Sequence, residues 1–138
     1  MGSVDYGRAT FSLAMIDFRT YVDTLMSIDK KLEEANFVLN HVLKSDRSED
    51  MKNLLSEYAF VKFAKVQTFL KEVKKNIMKY QKKLQNFLAE NPKEHEEFNA
   101  QLDILIPLFE EKEKFINEQI KKCFDYLNSL IDTDTASV

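Results

Sequence analysis

Apolar residues recur in alternating steps of three and four along three stretches of this chain, and this spacing constrains the fold more than any other feature. In the first stretch the spaced residues are Phe11, Ala14, Phe18, Tyr21, Leu25, Ile28, Leu32, Ala35, Leu39 and Val42. In the second they are Ala59, Phe63, Val66, Leu70, Val73, Ile77, Tyr80, Leu84 and Phe87, and in the third Phe98, Leu102, Leu105, Phe109, Ile116, Ile120, Cys123, Leu127 and Leu130. A repeat of 3.5 residues places one apolar seam along each helix, whereas strands would alternate with a period of two.

Two polar breaks separate the three stretches. The first break, residues 45–50, contains Asp46 and Glu49 at the spacing of a capping box, which satisfies free amides where a helix begins. In the second break, Asn91 can cap a helix whose first residue is Pro92. Short connections of this kind favour antiparallel neighbours.

The pattern predicts an all-α fold, an elongated antiparallel bundle of three long helices. Pro107 interrupts the third stretch and predicts a kink there, or a split that would make four helices. We expect one domain over residues 9–131, a disordered or tag-derived start at 1–8, and a flexible tail at 132–138. With 138 residues the chain is long enough to bury its own core.

Composition excludes several classes of protein. A chain that is 44% hydrophobic does not have the composition of a disordered protein, and two Gly and two Pro are too few for a β-sandwich or barrel. A single cysteine excludes a disulfide framework. No apolar run approaches the ~20 residues of a membrane span, and the start lacks the pattern of a signal peptide, so we expect a cytoplasmic protein in a reducing compartment.

The residues that carry chemistry are few, and their spacing predicts no enzyme, no cofactor and no metal. Neither His41 nor His95 has a Glu three residues before it, as inward-facing metal sites in helical bundles require. A glycine-rich phosphate loop is excluded, because no glycine follows Gly7. Cys123 lies on the third seam, where a thiol packs as a small apolar side chain.

The segment His41-Val42-Leu43-Lys44-Ser45 resembles the His-x-Leu-Lys-small motif of histidine phosphotransfer domains. Those domains are helical bundles of similar size, and the resemblance implies that His41 accepts a phosphoryl group while Lys44 helps to neutralise it. In that family the helix continues past the motif, whereas here the polar break at residues 45–50 ends it. An exposed histidine near the end of a helix, without that activity, is the other interpretation.

Lysines are concentrated in the second stretch. Residues 62–83 contain eight lysines and one acid, Glu72, whereas the chain as a whole has a net charge of −3. One interpretation is that these lysines pair with acidic neighbours across the bundle, and another is that they bind an anionic membrane surface. The stretch offers no Arg, the usual partner of phosphates in nucleic acids, so we do not expect nucleic acid as a partner.

The apolar faces are wider than one seam needs. The residues that widen them are Leu13, Met15, Ile16, Val22 and Met26 in the first stretch, and Leu55, Phe60, Val61 and Phe69 in the second. We therefore predict a non-enzymatic interaction module (a scaffold, adaptor, chaperone-like or assembly subunit) that binds a protein partner or forms a dimer. Its candidate surface consists of Phe60, Phe63, Phe69, Lys74, Lys75, Lys79 and Lys82.

Overall fold

The chain is all-α in the computed structural model, which describes residues 3–45 and 53–136, with side chains described for 6–45 and 53–130. The elements are α1 (Ser3–Ser27), α2 (Asp29–Lys44), a π-helix, π1 (Leu55–Ala59), α3 (Phe60–Lys83), α4 (Gln85–Glu90) and α5 (Pro92–Ala136). None of the residues in these ranges is in a strand, so the all-α prediction is confirmed. The capping box predicted at Asp46 and Glu49 lies outside the described residues.

Local distortions, rather than loops, divide the long stretches into shorter helices. Ile28 separates α1 from α2, yet its carbonyl still accepts from the amide of Leu32 at 3.0 Å. Leu84 separates α3 from α4 in the same way and accepts from the amide of Leu88 at 2.8 Å. In the described ranges, four α-helices therefore have 16 residues or more, whereas the sequence predicts three long helices. The fourth arises because the distortion at Ile28 divides the first predicted helix into α1 and α2.

Pro107 does not split the last helix, because α5 runs through it for 45 residues. A proline removes one amide and leaves the carbonyl four residues earlier without its helical partner. Here that residue is Asp103, and both residues are exposed, so water can solvate the free carbonyl. The alternative of a fourth helix created by Pro107 is therefore wrong.

The second polar break begins a helix as predicted, since Pro92 is the first residue of α5. Asn91 donates its side-chain amide to the carbonyl of Phe87 at 2.7 Å and so closes the end of α4. Glu94, the third residue of α5, accepts from Arg8 of α1 at 3.5 Å. The side chain of Asn91 thus closes α4, and that of Glu94 links α5 to α1.

The chain forms two compact units, each built from helical segments that are distant in sequence. Unit 1 comprises Met1–Ser27 and Leu70–Lys112, and unit 2 comprises Ile28–Phe69 and Glu113–Val138. Each unit therefore draws on parts of all three long stretches.

Polar contacts define the direction of the helices in unit 1. Tyr80 of α3 donates its hydroxyl to Asp17 of α1, and Asn76 donates its side-chain amide to the hydroxyl of Tyr21 at 2.7 Å. A later residue of α1 thus meets an earlier residue of α3, so the two helices are antiparallel. Both contacts are partly buried and lie beside the apolar core.

Phe18 lies at the centre of the core of unit 1 and is fully buried. Its ring packs edge-to-face against Tyr80 of α3, with 5.7 Å between ring centroids. On another side it packs against Phe98 of α5 at 5.3 Å. Segments of α1, α3 and α5 therefore surround one core.

Unit 2 contains a second antiparallel pair. Gln67 of α3 donates to Asn117 of α5 at 3.0 Å, and Phe60 packs edge-to-face against Phe124 at 5.3 Å. Because the earlier residue of α3 meets the later residue of α5, the two segments run in opposite directions. Residues of α2 pack against π1 on the same unit.

The predicted seams form the cores of both units. Every predicted seam residue is buried except for five that are partly buried, namely Tyr21, Val66, Tyr80, Leu127 and Leu130. The spacing of three and four therefore identified the core correctly.

Polar residues occupy three seam positions of α5 that the apolar pattern passes over. Lys112, Gln119 and Tyr126 follow one another at seven-residue spacing and are all buried. Lys112 lies 3.8 Å from the carboxylate of Glu111, so its charge has a partner. Three buried oxygens in unit 2 have no hydrogen-bond partner among the described residues, those of the Asn36 and Gln119 amides and of the Tyr126 hydroxyl.

Candidate interaction surfaces

Six lysines of α3 lie at the surface, and we call them together the lysine face. Its members are Lys71, Lys74, Lys75, Lys79, Lys82 and Lys83, and all six are exposed. None of them forms an ion pair with another residue in the part of the chain that the structure describes. Pairing of these six lysines with acidic neighbours across the bundle is therefore not seen among the described residues. The four predicted surface lysines, at 74, 75, 79 and 82, are all solvent-accessible.

The first half of α5 carries the opposite charge. Residues 93–111 contain six acids and one lysine, whereas residues 71–83 contain six lysines and one acid. Glu94 pairs with Arg8, and the other five acids are exposed. Unit 1 therefore presents one strongly basic helix segment and one strongly acidic one.

An apolar strip runs along the outer side of α1, opposite its buried seam. Tyr6, Leu13 and Ile16 are 64%, 57% and 59% exposed, and exposed Ala9 lies between the first two. These four residues, the α1 strip, follow one another at steps of three, four and three. The widened apolar face predicted for the first stretch is thus left uncovered by this chain at Leu13 and Ile16.

The predicted phenylalanine surface is only partly formed. Phe60 and Phe69 are partly buried, but Phe63 is fully buried, so its assignment to a surface is wrong. Phe63 occupies a seam position, four residues after buried Ala59, and therefore faces the core. Its place in the seam already indicated this burial.

A shallow groove lies beside Phe60 in unit 2. Val61, Ala64 and Thr68 line it together with Phe60. Phe124 of α5, which packs on the ring of Phe60, is 50% exposed. The groove is apolar and small, and the positively charged Lys65 lies at its edge.

His41 is exposed, as the phosphotransfer resemblance requires, and α2 ends three residues later at Lys44. Its imidazole stacks on the ring of Phe37, with 6.5 Å between centroids and 10° between planes. Ser45 donates its hydroxyl to the carbonyl of His41 at 2.7 Å. Phe37 is not among the residues predicted from the sequence, although the spacing of four residues on a helix indicates this contact.

Cys123 is fully buried, as its seam position predicts, and it forms no disulfide. Burial raises the pKa of its thiol from 9.0 to about 11, because an apolar surrounding disfavours the thiolate. The thiol is therefore a packing group at neutral pH.

The described residues contain no group of three or more His, Cys, Asp or Glu side chains arranged to hold a metal ion. None of their helices combines the length and the apolar character that a membrane span requires. Comparison with protein-family models, with curated proteins and with solved structures finds no significant match.

Proposed function

We propose that this chain is a non-enzymatic helical interaction module that binds a protein partner through the α1 strip. The observation that carries the proposal is the exposure of Tyr6, Leu13 and Ile16 on the outer side of a helix whose inner side already fills a core. We propose a reducing compartment such as the cytoplasm as its location, since its single cysteine is buried and offers no disulfide framework.

The spacing of the α1 strip suits a helical partner. Steps of three and four place side chains in a row on one side of a helix, and such rows pack into the grooves of a facing helix. The strip extends over about 15 Å, since each helical residue adds about 1.5 Å. A partner helix that covered Leu13 and Ile16 would remove their apolar surface from water, which is the main favourable contribution to association.

The test compares the chain with the double variant Leu13→Gln and Ile16→Gln in affinity capture from an extract of the source cells, with quantitative mass spectrometry. We expect the unmodified chain to retain at least one protein that this variant loses. Ile104→Gln with Ile106→Gln is the matched control, because it makes the same change at two exposed positions of α5. Equal capture by all three chains would contradict the proposal, and circular dichroism checks that each variant is folded.

A second candidate function is binding to an anionic membrane through the lysine face. The absence of carboxylate partners among the described residues supports it, because these lysines are available to lipid headgroups. Each lysine near such a surface would contribute about 1 kcal/mol, and binding would weaken as salt shortens the Debye length.

The membrane candidate is tested by co-sedimentation with phosphatidylserine-containing vesicles at low and physiological salt. The variant has Lys74, Lys75, Lys79 and Lys82 changed to Gln. Binding that salt weakens and that the variant loses would support the membrane function. Equal, negligible binding by both chains would contradict it.

A further inference from the structure

Helix α3 lies along one edge of the α1 strip. Tyr6, the first residue of the strip, lines one pocket together with Lys83 of α3. At the other end of the strip, Asp17 directly follows Ile16, and its carboxylate accepts the hydrogen bond from Tyr80 of α3. Contacts with α3 are therefore present at both ends of this edge.

The side of α3 that faces α1 carries two exposed lysines. Asn76 and Tyr80 donate their hydrogen bonds to α1 from this side of the helix. Lys79 and Lys83 each follow one of these residues by three positions, and residues three or four apart are neighbours on one side of a helix. Both lysines are exposed, and neither forms an ion pair with another described residue. This edge of the α1 strip is therefore flanked by positive charge.

Arginines flank the opposite edge of the strip. Asp17 follows Ile16 by one residue and Arg19 follows it by three, so at about 100° per residue they lie on opposite sides of Ile16. Arg19 is exposed and forms no ion pair with another described residue. Arg8 lies about three turns before Arg19 on the same edge, and its charge is paired with Glu94 at 3.5 Å. Arg19 therefore carries the unpaired positive charge of this edge.

Exposed acids lie at the two ends of the strip. Glu90 lines the pocket at Tyr6, and Asp23 follows Ile16 by seven residues, or about two turns. Asp17 lies between these ends, but its carboxylate already accepts a hydrogen bond from α3. The long edges of the strip are thus positive, and negative charge lies at its ends.

From this arrangement we propose that the partner of the α1 strip is an amphipathic helix whose apolar stripe is flanked by acidic side chains. The stripe covers Leu13 and Ile16, and the acidic side chains lie against Lys79, Lys83 and Arg19. Burial of the apolar side chains supplies most of the affinity, whereas complementary charge selects the partner. The inference rests on the proposed function of the α1 strip and adds the chemistry of its partner.

The charges around the strip disfavour two other occupants. Two copies that met strip to strip would bring positive edges together, because both edges carry cations. An anionic lipid surface extends past the strip, so it would also approach the carboxylates of Glu90 and Asp23. A partner helix can place neutral or basic side chains opposite these two acids.

The experiment measures binding of three fluorescently labelled synthetic peptides to the full chain by anisotropy. Each peptide is a cross-linked helix about 27 Å long, with leucine and alanine in its apolar stripe and glutamate, glutamine or lysine on both flanks. At low salt the glutamate peptide is expected to bind about tenfold more tightly than the glutamine peptide, because several exposed ion pairs each contribute a small factor. The lysine peptide is expected to bind most weakly. These differences should shrink at high salt, because the Debye length falls from about 30 Å at 0.01 M to about 3 Å at 1 M.

Two double variants with the same net charge test the positions of the lysines. Lys79→Glu with Lys83→Glu is expected to reverse the preference, so that the lysine peptide binds more tightly than the glutamate peptide. Lys74→Glu with Lys82→Glu is the matched control and is expected to keep the preference for glutamate. Each of its two positions lies two residues from a residue that contacts α1, and so is turned about 200° around α3 from that contact.

The variant Leu13→Gln with Ile16→Gln is expected to lose binding of both the glutamate and the glutamine peptide. Glutamate-peptide binding that survives in this variant would place the peptide on the lysine face alone and overturn the inference. Equal binding of all three peptides, no binding of any peptide, or reversal by the matched control would also overturn it.

These outcomes separate the inference from the proposed function. Equal binding of the three peptides that Leu13→Gln with Ile16→Gln abolishes would refute the acidic partner but leave the α1 strip as a surface that binds helices. Light scattering and vesicle co-sedimentation without peptide test the other occupants. Dimerisation or binding to phosphatidylserine vesicles that the same double variant abolishes would assign the strip to a second copy or to lipid, and either result would overturn the inference.

Discussion

The hydroxyl of Tyr80 in α3 donates a hydrogen bond to Oδ2 of Asp17 in α1, at 2.5 Å and across 63 residues of sequence. Burial and the neighbouring carboxylate raise the pKa of this hydroxyl from 10.0 to about 12, because both disfavour the phenolate. The contact fixes the height of α1 against α3, and it lies beside the ring of Phe18.

Replacing Tyr80 by Phe should lower the free energy of unfolding by about 1 kcal/mol, because a partly buried carboxylate loses its donor. Tyr126→Phe is the matched control, since the buried hydroxyl of Tyr126 has no hydrogen-bond partner among the described residues. Its removal should leave stability unchanged or raise it. Urea unfolding monitored by circular dichroism measures both, and equal losses in the two variants would show that the Asp17 contact contributes nothing.

The same contact predicts a dependence of stability on alkaline pH. A raised pKa means that the folded chain holds the phenolic proton more tightly than the unfolded chain does. The contribution is fully present below pH 10.0 and is lost as pH rises through about 12. The difference in unfolding free energy between the unmodified chain and Tyr80→Phe should therefore shrink across this window. A difference that stays constant between pH 10 and about 12 would contradict the raised pKa of the Tyr80 hydroxyl.

Two phenylalanines three residues apart should respond differently to truncation. Phe63→Ala should destabilise the chain by about 3–5 kcal/mol, because a fully buried ring leaves a cavity. Phe60→Ala should cost about 1 kcal/mol, since its ring is partly exposed and loses mainly the edge-to-face contact with Phe124. Thermal unfolding compares them. A larger loss for Phe60 than for Phe63 would contradict the burial that the structure gives to each ring.

Gly7 packs directly against the ring of Phe87, so replacing it by a larger residue should lower the stability of the fold. A Cβ at Gly7 would lie 2.8 Å from Cδ2 of that ring and 3.1 Å from Cγ. Gly7→Ala gains about 1 kcal/mol of helix propensity, but overpacking costs about 1–3 kcal/mol, so we expect a net loss of about 1 kcal/mol. In a Phe87→Leu background the same substitution should be neutral or stabilising. An equal loss of unfolding free energy in both backgrounds would show that the contact with the Phe87 ring is not the cause.

Cys123 should react slowly with a chromogenic disulfide reagent while the chain is folded. Its thiol is fully buried, and its pKa of about 11 keeps the reactive thiolate scarce at neutral pH. Denaturant should accelerate labelling to the rate of an exposed thiol. Complete, rapid labelling of the native chain would show that this part of the seam is open to solvent.

The sequence predicted the helices and the core well, because burial follows a period that can be read directly. It also predicted the start of α5, because proline at the first position of a helix is a local signal. The distortion at Ile28 could not be predicted, since a buried seam residue gives no sign of an irregular turn. The close approach of Gly7 and Phe87 also depends on how two distant segments pack, which no local pattern records.

Surface features were predicted less well, and for a physical reason. Whether a lysine at position 75 or 79 has a carboxylate partner depends on the facing helix, not on its own helix. The charges of α3 and α5 are both evident in the sequence, but the residues of the two helices that meet, such as Gln67 and Asn117, follow only from the packing.

The three unpartnered oxygens of Asn36, Gln119 and Tyr126 all belong to unit 2, and they make its closed state less favourable. Each buried polar atom without a partner costs about 1–3 kcal/mol, and local opening, which admits water, relieves this penalty. Sub-global opening of unit 2 should therefore require less free energy than unfolding of the whole chain. In native-state hydrogen–deuterium exchange, amides around Gln119 should exchange through such an opening. Amides around Phe18 should exchange only through unfolding of the whole chain.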